Sequence, residues 1–320
     1  MSKPAIVIIR AIKPEHVARL QAIAPGYDFF TQWDEPLPQS RYADVEVILG
    51  GDGPLTKAIM ATPNNHLGFV QAHSAGVDYL DLPALAKAHV LVANTSGIHT
   101  NALTEYVIGA ILQRTRAFAE TAANQQQALW QHDIDYAGVA GRNMVIVGAG
   151  RIGTKIAQVA KALDMHVTGV SRSGRTLPFF DANVADEAAP SVLAEADFVV
   201  DLLPLTPESK HFFDAARFAQ LKRGVMFINV GRGGTVDTAA LIDAITSGQI
   251  GHAVLDVFEE EPLPQDSPLW HLPNTVVTPH VAGQVAHFKS VVTEIYAANL
   301  QSYLKDHKLV SHALDLSRGY

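Results

Sequence analysis

The chain has 320 residues, 48% of them hydrophobic, a net charge of −8 and no cysteine. That length suggests one large or two ordinary domains with room for a core, and the composition excludes the disordered class. The missing cysteine excludes disulfides, thiolate nucleophiles and cysteine-built zinc sites, the negative charge argues against a general nucleic-acid binder or an anionic membrane surface, and no run approaches the roughly 18 apolar residues that span a bilayer. We therefore expect a cytoplasmic protein with no metal, no nucleic acid and no membrane among its partners.

Short apolar runs alternate with helix-like stretches along the chain. AIVIIR (5–10), VEVILG (45–50), GFVQA (68–72) and VLVAN (90–94) read as buried strands, and PEHVARLQAIA (14–24) as an amphipathic helix. Such alternation predicts βαβ units and a parallel sheet. A long helix over 103–121 follows, then a polar, weakly periodic excursion, NQQQALWQHDIDYAGVAG (124–141). The second series comprises NMVIVG (143–148), MHVTGV (165–170), DFVVDLL (197–203), VMFINV (225–230), HAVLDV (252–257) and NTVVTP (274–279), with helices over 152–163 and 238–246. A last amphipathic helix begins after Ala286 and is expected to return to the first domain. The fold class is α/β: two doubly wound parallel-sheet domains, one over 1–101 plus 288–320 and one over 102–287, with a cleft between them.

VGAGRIG (147–153) lies between a predicted strand and a predicted helix. Gly148 suits a tight turn, Gly150 lets a pyrophosphate approach the backbone, and Gly153 lets the helix pack closely on the sheet. The first helical residues, Arg151 and Ile152, then offer free N–H groups to the phosphates. Given the flanking strand and helix, the motif marks a dinucleotide site rather than a bare turn. In such a unit the next strand usually ends in an acid that binds the ribose hydroxyls of NAD. Here Ser171, Arg172 and Ser173 stand instead. An arginine there accommodates a 2′-phosphate, so NADP(H) is the preferred cofactor and NAD(H) the second choice.

Three further loops carry polar residues at strand ends: INVGRGGTVD with Arg232, LDVFEEEPLP with Asp256 and three glutamates, and VVTPHVAGQ with His280. Together with VGAGRIG, LPLTPES, SPLW and, upstream, HSAGVDYLD (73–81), these motifs stand in the order and spacing of the D-2-hydroxyacid dehydrogenases. The chain resembles that family over most of its length. Within it, the arginine-bearing loop and EPLPQDSPLW are similar to the NADPH-dependent glyoxylate/hydroxypyruvate reductases and related 2-ketoacid reductases.

The resemblance implies a flavodoxin-like substrate domain, a Rossmann cofactor domain and reduction of a small 2-ketoacid to a 2-hydroxyacid. It assigns catalysis to Arg232, Glu261 and His280. A histidine can donate a proton near neutral pH, a carboxylate on its other ring nitrogen supports the charged ring, and an arginine binds a carboxylate through a planar fork of donors. Leu203, Pro204, Val230, Gly231, Asp256, His280 and Gly283 are implied to line the cofactor, and Asp256 has the alternative role of holding loops together. Ser74, Ala75 and Gly76 are implied to contact the substrate with Arg232 and His280, and GGDG (50–53) is a second candidate wall. Glu259 and Glu260 are expected to face solvent or cap a helix. Leu129 and Trp130 resemble the arm through which the family forms homodimers.

Formate dehydrogenases resemble this family but carry glutamine where Glu261 stands. Phosphoglycerate dehydrogenases usually prefer NAD and often carry an added regulatory domain, for which a chain ending at Tyr320 leaves no room. The runner-up is a dinucleotide-sensing interaction protein, similar to the family's corepressor branch, which also retains the three residues but favours NAD.

Overall fold

A computed structural model describes residues 2–316 apart from Ala75, Asp78 and Asp135. The chain divides into two compact units, Met1–Ile98 with Val285–Tyr320, and His99–Gln284.

In the first unit the strands are β1 (Ala5–Ile8), β2 (Asp28–Thr31), β3 (Val45–Gly50), β4 (Phe69–Ala72) and β5 (Leu91–Ala93). They pair in parallel in the order β2-β1-β3-β4-β5, the flavodoxin-like winding. Helices α1 (Pro14–Ile23), α2 (Gly53–Met60) and α3 (Leu82–Lys87) lie along the connections. The central strands are apolar on both faces because both faces are covered. Ala5, Val7, Ile48 and Val70 enter one core. Ile6, Ile8, Val47, Leu49 and Phe69 enter another, together with Val292, Tyr296 and Leu300 of the C-terminal helix Phe288–Asp306. That helix thus returns to the first unit through a buried apolar stripe. Strand β2, reading DFFT, is an edge strand with one buried residue, and its short pattern gave the sequence reading no apolar run to detect.

The second unit carries β6 (Asn143–Val147), β7 (His166–Val170), β8 (Ala182–Val184), β9 (Phe198–Asp201), β10 (Val225–Asn229), β11 (Ile250–Leu255) and β12 (Thr275–Val277). Their order is β12-β11-β10-β9-β6-β7-β8, all parallel. The winding reverses between β6 and β9, as in Rossmann sheets, whose ligands bind beyond the strand ends at this switch point. The helices are α4 (Thr100–Thr115), α5 (Phe118–Gln126), α6 (Arg151–Ala162), α7 (Ala189–Leu193), α8 (Ala215–Ala219) and α9 (Thr238–Thr246).

Two expectations are corrected. The single helix over 103–121 is two helices, α4 and α5, because Ala117 turns left-handed at φ +53°. A left-handed residue closes a helix, and alanine rather than glycine or asparagine fills the position, so nothing in the sequence announces it. Strand β8 was not foreseen, since only three half-buried or exposed residues make it. Within 124–141, Asn124–Gln126 complete α5, and the described residues beyond form no helix or strand. Among the described residues, no helix is long and apolar enough to cross a membrane.

Candidate active site

The loop after β6 holds the three motif glycines. Gly148 has φ +89°, and a Cβ there would lie 2.8 Å from the Leu202 carbonyl carbon, so the turn and its packing on the loop after β9 both require glycine. Gly150 caps α6, and a Cβ there would meet only the Gly148 carbonyl oxygen, at an ordinary 3.8 Å, while one on Gly153 would meet Ile146 at 3.1 Å. Arg151 and Ile152 form the first turn of α6. At the end of β7, Ser171 has its hydroxyl buried without a hydrogen-bond partner among the described residues. Arg172 and Ser173 follow in an exposed turn. An orphaned donor beside a cation is what a ribose phosphate would satisfy. Two acids share this corner. Burial, with Glu187, raises the Asp186 carboxyl against the Arg217 and Arg172 cations, and Glu208 is lowered by hydrogen bonds from its own amide and Thr206, with Arg172 adding to them.

Arg232, Glu261 and His280 come from the loops after β10, β11 and β12, which are neighbours in the sheet. These loops pack tightly. A Cβ on Gly233 would fall 1.9 Å from the Phe258 carbonyl carbon, so only glycine lets the Arg232 loop lie on the loop that carries Glu261. His280 Nδ1 donates to Glu261 Oε2 at 2.7 Å. The other Glu261 oxygen accepts the Phe258 amide at 3.0 Å, which holds the carboxylate in place. The His280 ring is exposed, and its Nε2 makes no hydrogen bond among the described residues. The Arg232 side chain is exposed, donates from Nη1 to the Gly231 carbonyl at 2.8 Å, and has no ion-pair partner among the described residues. An exposed cation with no ion-pair partner among the described residues suits an anionic ligand.

Asp256, 2% exposed, directs its carboxylate at the His280 loop. Oδ1 accepts from Thr278 Oγ1 at 2.6 Å and the Val281 amide at 2.8 Å, and Oδ2 accepts the Ala282 amide at 2.9 Å. Its backbone carbonyl receives the His280 amide at 2.9 Å. His280 itself is left-handed, at φ +54°. A non-glycine residue held there implies surroundings that over-determine it, and Asp256 supplies them. Gly283, at the end of this turn, accepts from His99 Nδ1 at 2.6 Å. Glu259 binds His211 at 2.7 Å and the Thr238 amide at 2.8 Å, at the start of α9, whose N-cap is Asp237. Against the upward push of burial, Thr238 and His211 hold the Glu259 carboxyl below the usual range. Glu260 is exposed.

Leu203, half-buried, and Pro204, exposed, form the turn after β9, and Ser209 Oγ closes it on the Pro204 carbonyl at 2.5 Å. Buried Val230 and Gly231 continue β10 into the Arg232 loop. Sequence reasoning passed over Asp201, the last residue of β9, which is fully buried and whose carboxyl burial pushes up to about 7. Its signal was available: a lone acid at the end of an otherwise apolar strand, FVVD. Tyr106 and Thr278, joined at 2.6 Å beneath the His280 loop, carried no comparable mark.

In the first unit, Ser74 donates to the Gly76 carbonyl at 2.7 Å. Ser74 lines a cavity of about 420 Å³ with Arg10, the 50–54 turn, His73 and Tyr79, at the ends of β1, β3 and β4. Ala75, expected beside them, lies outside the described residues.

Set beside known proteins, residues 108–282 match the family profile described as D-isomer specific 2-hydroxyacid dehydrogenase, NAD binding domain. The glyoxylate/hydroxypyruvate reductase B of Citrobacter koseri is 35% identical over 301 residues, 89% of this chain and 90% of its own. Among solved structures, the phosphoglycerate dehydrogenase of Lactobacillus plantarum is 42% identical with a TM-score of 0.58, covering 97% of this chain and 100% of its own. The NADPH-dependent glyoxylate/hydroxypyruvate reductase of Sinorhizobium meliloti, solved with NADP and sulfate, is 28% identical with a TM-score of 0.81 and full coverage of both chains.

Proposed function

This chain belongs to the D-isomer specific 2-hydroxyacid dehydrogenase family, and we propose that within it the protein reduces a small 2-ketoacid of the glyoxylate or hydroxypyruvate type, using NADPH. The protein is an oxidoreductase with an NAD(P)-binding Rossmann unit. The observation that carries the reading is the His280–Glu261 pair at 2.7 Å on loops adjoining that of Arg232, which has no ion-pair partner among the described residues.

When bound, the reduced nicotinamide supplies the hydride that the ketoacid carbonyl carbon accepts. Arg232 holds the substrate carboxylate by charge-assisted hydrogen bonds. As negative charge grows on the carbonyl oxygen, His280 Nε2 delivers a proton to it, leaving a 2-hydroxyacid. Glu261 fixes the ring orientation through Nδ1 and supports the imidazolium before transfer. Asp256 keeps the His280 turn closed and is also assigned to the cofactor surface with Leu203, Pro204, Val230, Gly231 and Gly283. The phosphates rest on the 148–153 loop. Ser171, Arg172 and Ser173 receive the 2′-phosphate, and the buried Ser171 hydroxyl, without a hydrogen-bond partner among the described residues, supports NADP(H) over NAD(H). In the first unit, Ser74 and Gly76 are assigned to ligand contact in their own cavity. Trp130, 87% exposed, and Leu129, 51% exposed, are assigned to a homodimer contact.

A steady-state panel tests the reading: glyoxylate, hydroxypyruvate, its 3-phosphate and phenylpyruvate, each with NADPH and NADH. The unphosphorylated small ketoacids with NADPH are expected to give the highest kcat/KM. Preference for the phosphorylated acid with NADH would move the protein to the phosphoglycerate dehydrogenase reading that its 42% identical neighbour favours.

A further inference from the structure

Two short contacts meet on one hydroxyl. Thr235 Oγ1 lies 2.6 Å from Asp201 Oδ2 and 2.6 Å from the Arg232 carbonyl oxygen. A hydroxyl owns one hydrogen and a carbonyl none, so two such bonds need a second hydrogen, and Asp201 is the group able to bring it. Were Asp201 ionised, one of the two contacts would set lone pair against lone pair. With Asp201 neutral, both close. Its O–H donates to Thr235 Oγ1, the Thr235 O–H donates to the Arg232 carbonyl, and Asp201 Oδ1 goes on accepting the Leu203 amide at 2.9 Å.

The surroundings agree with that proton count. Asp201 ends β9 at the switch point, paired with Val147 of β6 on one side and Asn229 of β10 on the other. What faces its carboxyl is the Thr235 hydroxyl and the Leu203 amide, and no charged side chain among the described residues bears on it. Burial alone raises the carboxyl. The Arg232 carbonyl also accepts the Thr235 amide at 3.2 Å and Asn229 Nδ2 at 3.4 Å, while Asn229 Oδ1 accepts the Gly231 amide at 3.0 Å.

We propose that neutral Asp201 is a positioning residue for Arg232, fixing through Thr235 the backbone from which the guanidinium reaches the ketoacid carboxylate. The role in substrate binding rests on the assignment of Arg232 above; the proton on Asp201 does not. The folded carboxyl titrates near 7, above its value of about 3.9 in an unfolded chain. Its contribution to stability is therefore complete below about pH 4 and lost as pH rises through about 7, and the grip on Arg232 loosens over the upper part of that range.

The test measures ketoacid KM, NADPH Kd and Tm between about pH 5.5 and 8.5 on the wild type, Asp201→Asn, Thr235→Val and Thr235→Ser. An amide at 201 donates to Thr235 at every pH. The wild-type KM is expected to rise about threefold more across the range than that of Asp201→Asn. Thr235→Val should raise KM about fivefold at the acid end with NADPH Kd unchanged, and Thr235→Ser should restore it. The Tm of Asp201→Asn relative to wild type should climb with pH. Equal KM slopes in wild type and Asp201→Asn, or a wild-type KM in Thr235→Val, overturns the positioning role while leaving the proposed reaction standing. If the wild type reduces no ketoacid, the reaction and the positioning role fall together, and the Tm curves still decide the proton: parallel curves overturn it.

Discussion

Two corners of the second unit use the same parts and run their hydrogens in opposite directions. In each, a buried aspartate at the end of a strand meets a threonine hydroxyl that touches a third oxygen. At the His280 corner the third oxygen is the Tyr106 hydroxyl, 2.6 Å from Thr278, and burial raises Tyr106 so that it keeps its proton. Tyr106 can donate to Thr278, Thr278 to Asp256, and the two loop amides add their own hydrogens, so Asp256 is a terminal acceptor. At the Arg232 corner the third oxygen is a carbonyl with no hydrogen to offer, so the relay must start at Asp201. What sets a buried carboxyl's role is thus the donor inventory one group further out, a feature that burial by itself does not reveal: both residues are nearly or wholly buried.

The comparison can be broken at several points. Arg232→Ala removes the group that the Asp201 corner serves, and kcat/KM for the ketoacid is expected to fall about 10²–10³-fold with NADPH affinity retained. A loss confined to NADPH binding would separate that corner from the substrate. Asp256→Asn sharpens the contrast with Asp201→Asn. An amide at 256 turns hydrogens toward a site already filled with donors, and denaturant unfolding should show a cost of about 1–3 kcal/mol, absent at 201. Equal tolerance at both positions would mean that the hydrogen count does not distinguish them. Arg172→Ala lies outside both corners and serves as the control. It should lower the NADPH to NADH ratio of kcat/KM about tenfold and leave the ketoacid KM where it was. An unmoved ratio would leave the Ser171–Ser173 turn without a role in cofactor choice.

Most of the fold was legible because its signals are local and large. Buried parallel strands are unbroken apolar runs, and the first glycine motif came with its strand and helix attached. What stayed hidden was decided by partners distant in sequence. Ala117 ends a helix with no breaker residue, and DFFT is a strand because β1 lies beside it. The motif residues Arg232, Glu261 and His280 could be named from the chain, and the structure brings Glu261 to His280 as the resemblance implied. Asp256 was given two roles in advance, and its three hydrogen bonds to the next loop are contacts that only the fold reveals. Asp201 carried a mark of its own, a lone acid ending an apolar strand, but its partner Thr235 stands 34 residues away and shows only in the fold.

Proton delivery by His280 is the claim on which the proposed reaction turns. The most direct measurement mixes His280→Ala, preloaded with NADPH, with excess hydroxypyruvate in a single turnover and follows nicotinamide absorbance beside fluorescence-measured NADPH affinity. The expected result is wild-type affinity with oxidation slowed about 10²–10⁴-fold. Oxidation at the wild-type rate would contradict the account, and the proton would then have to come from elsewhere.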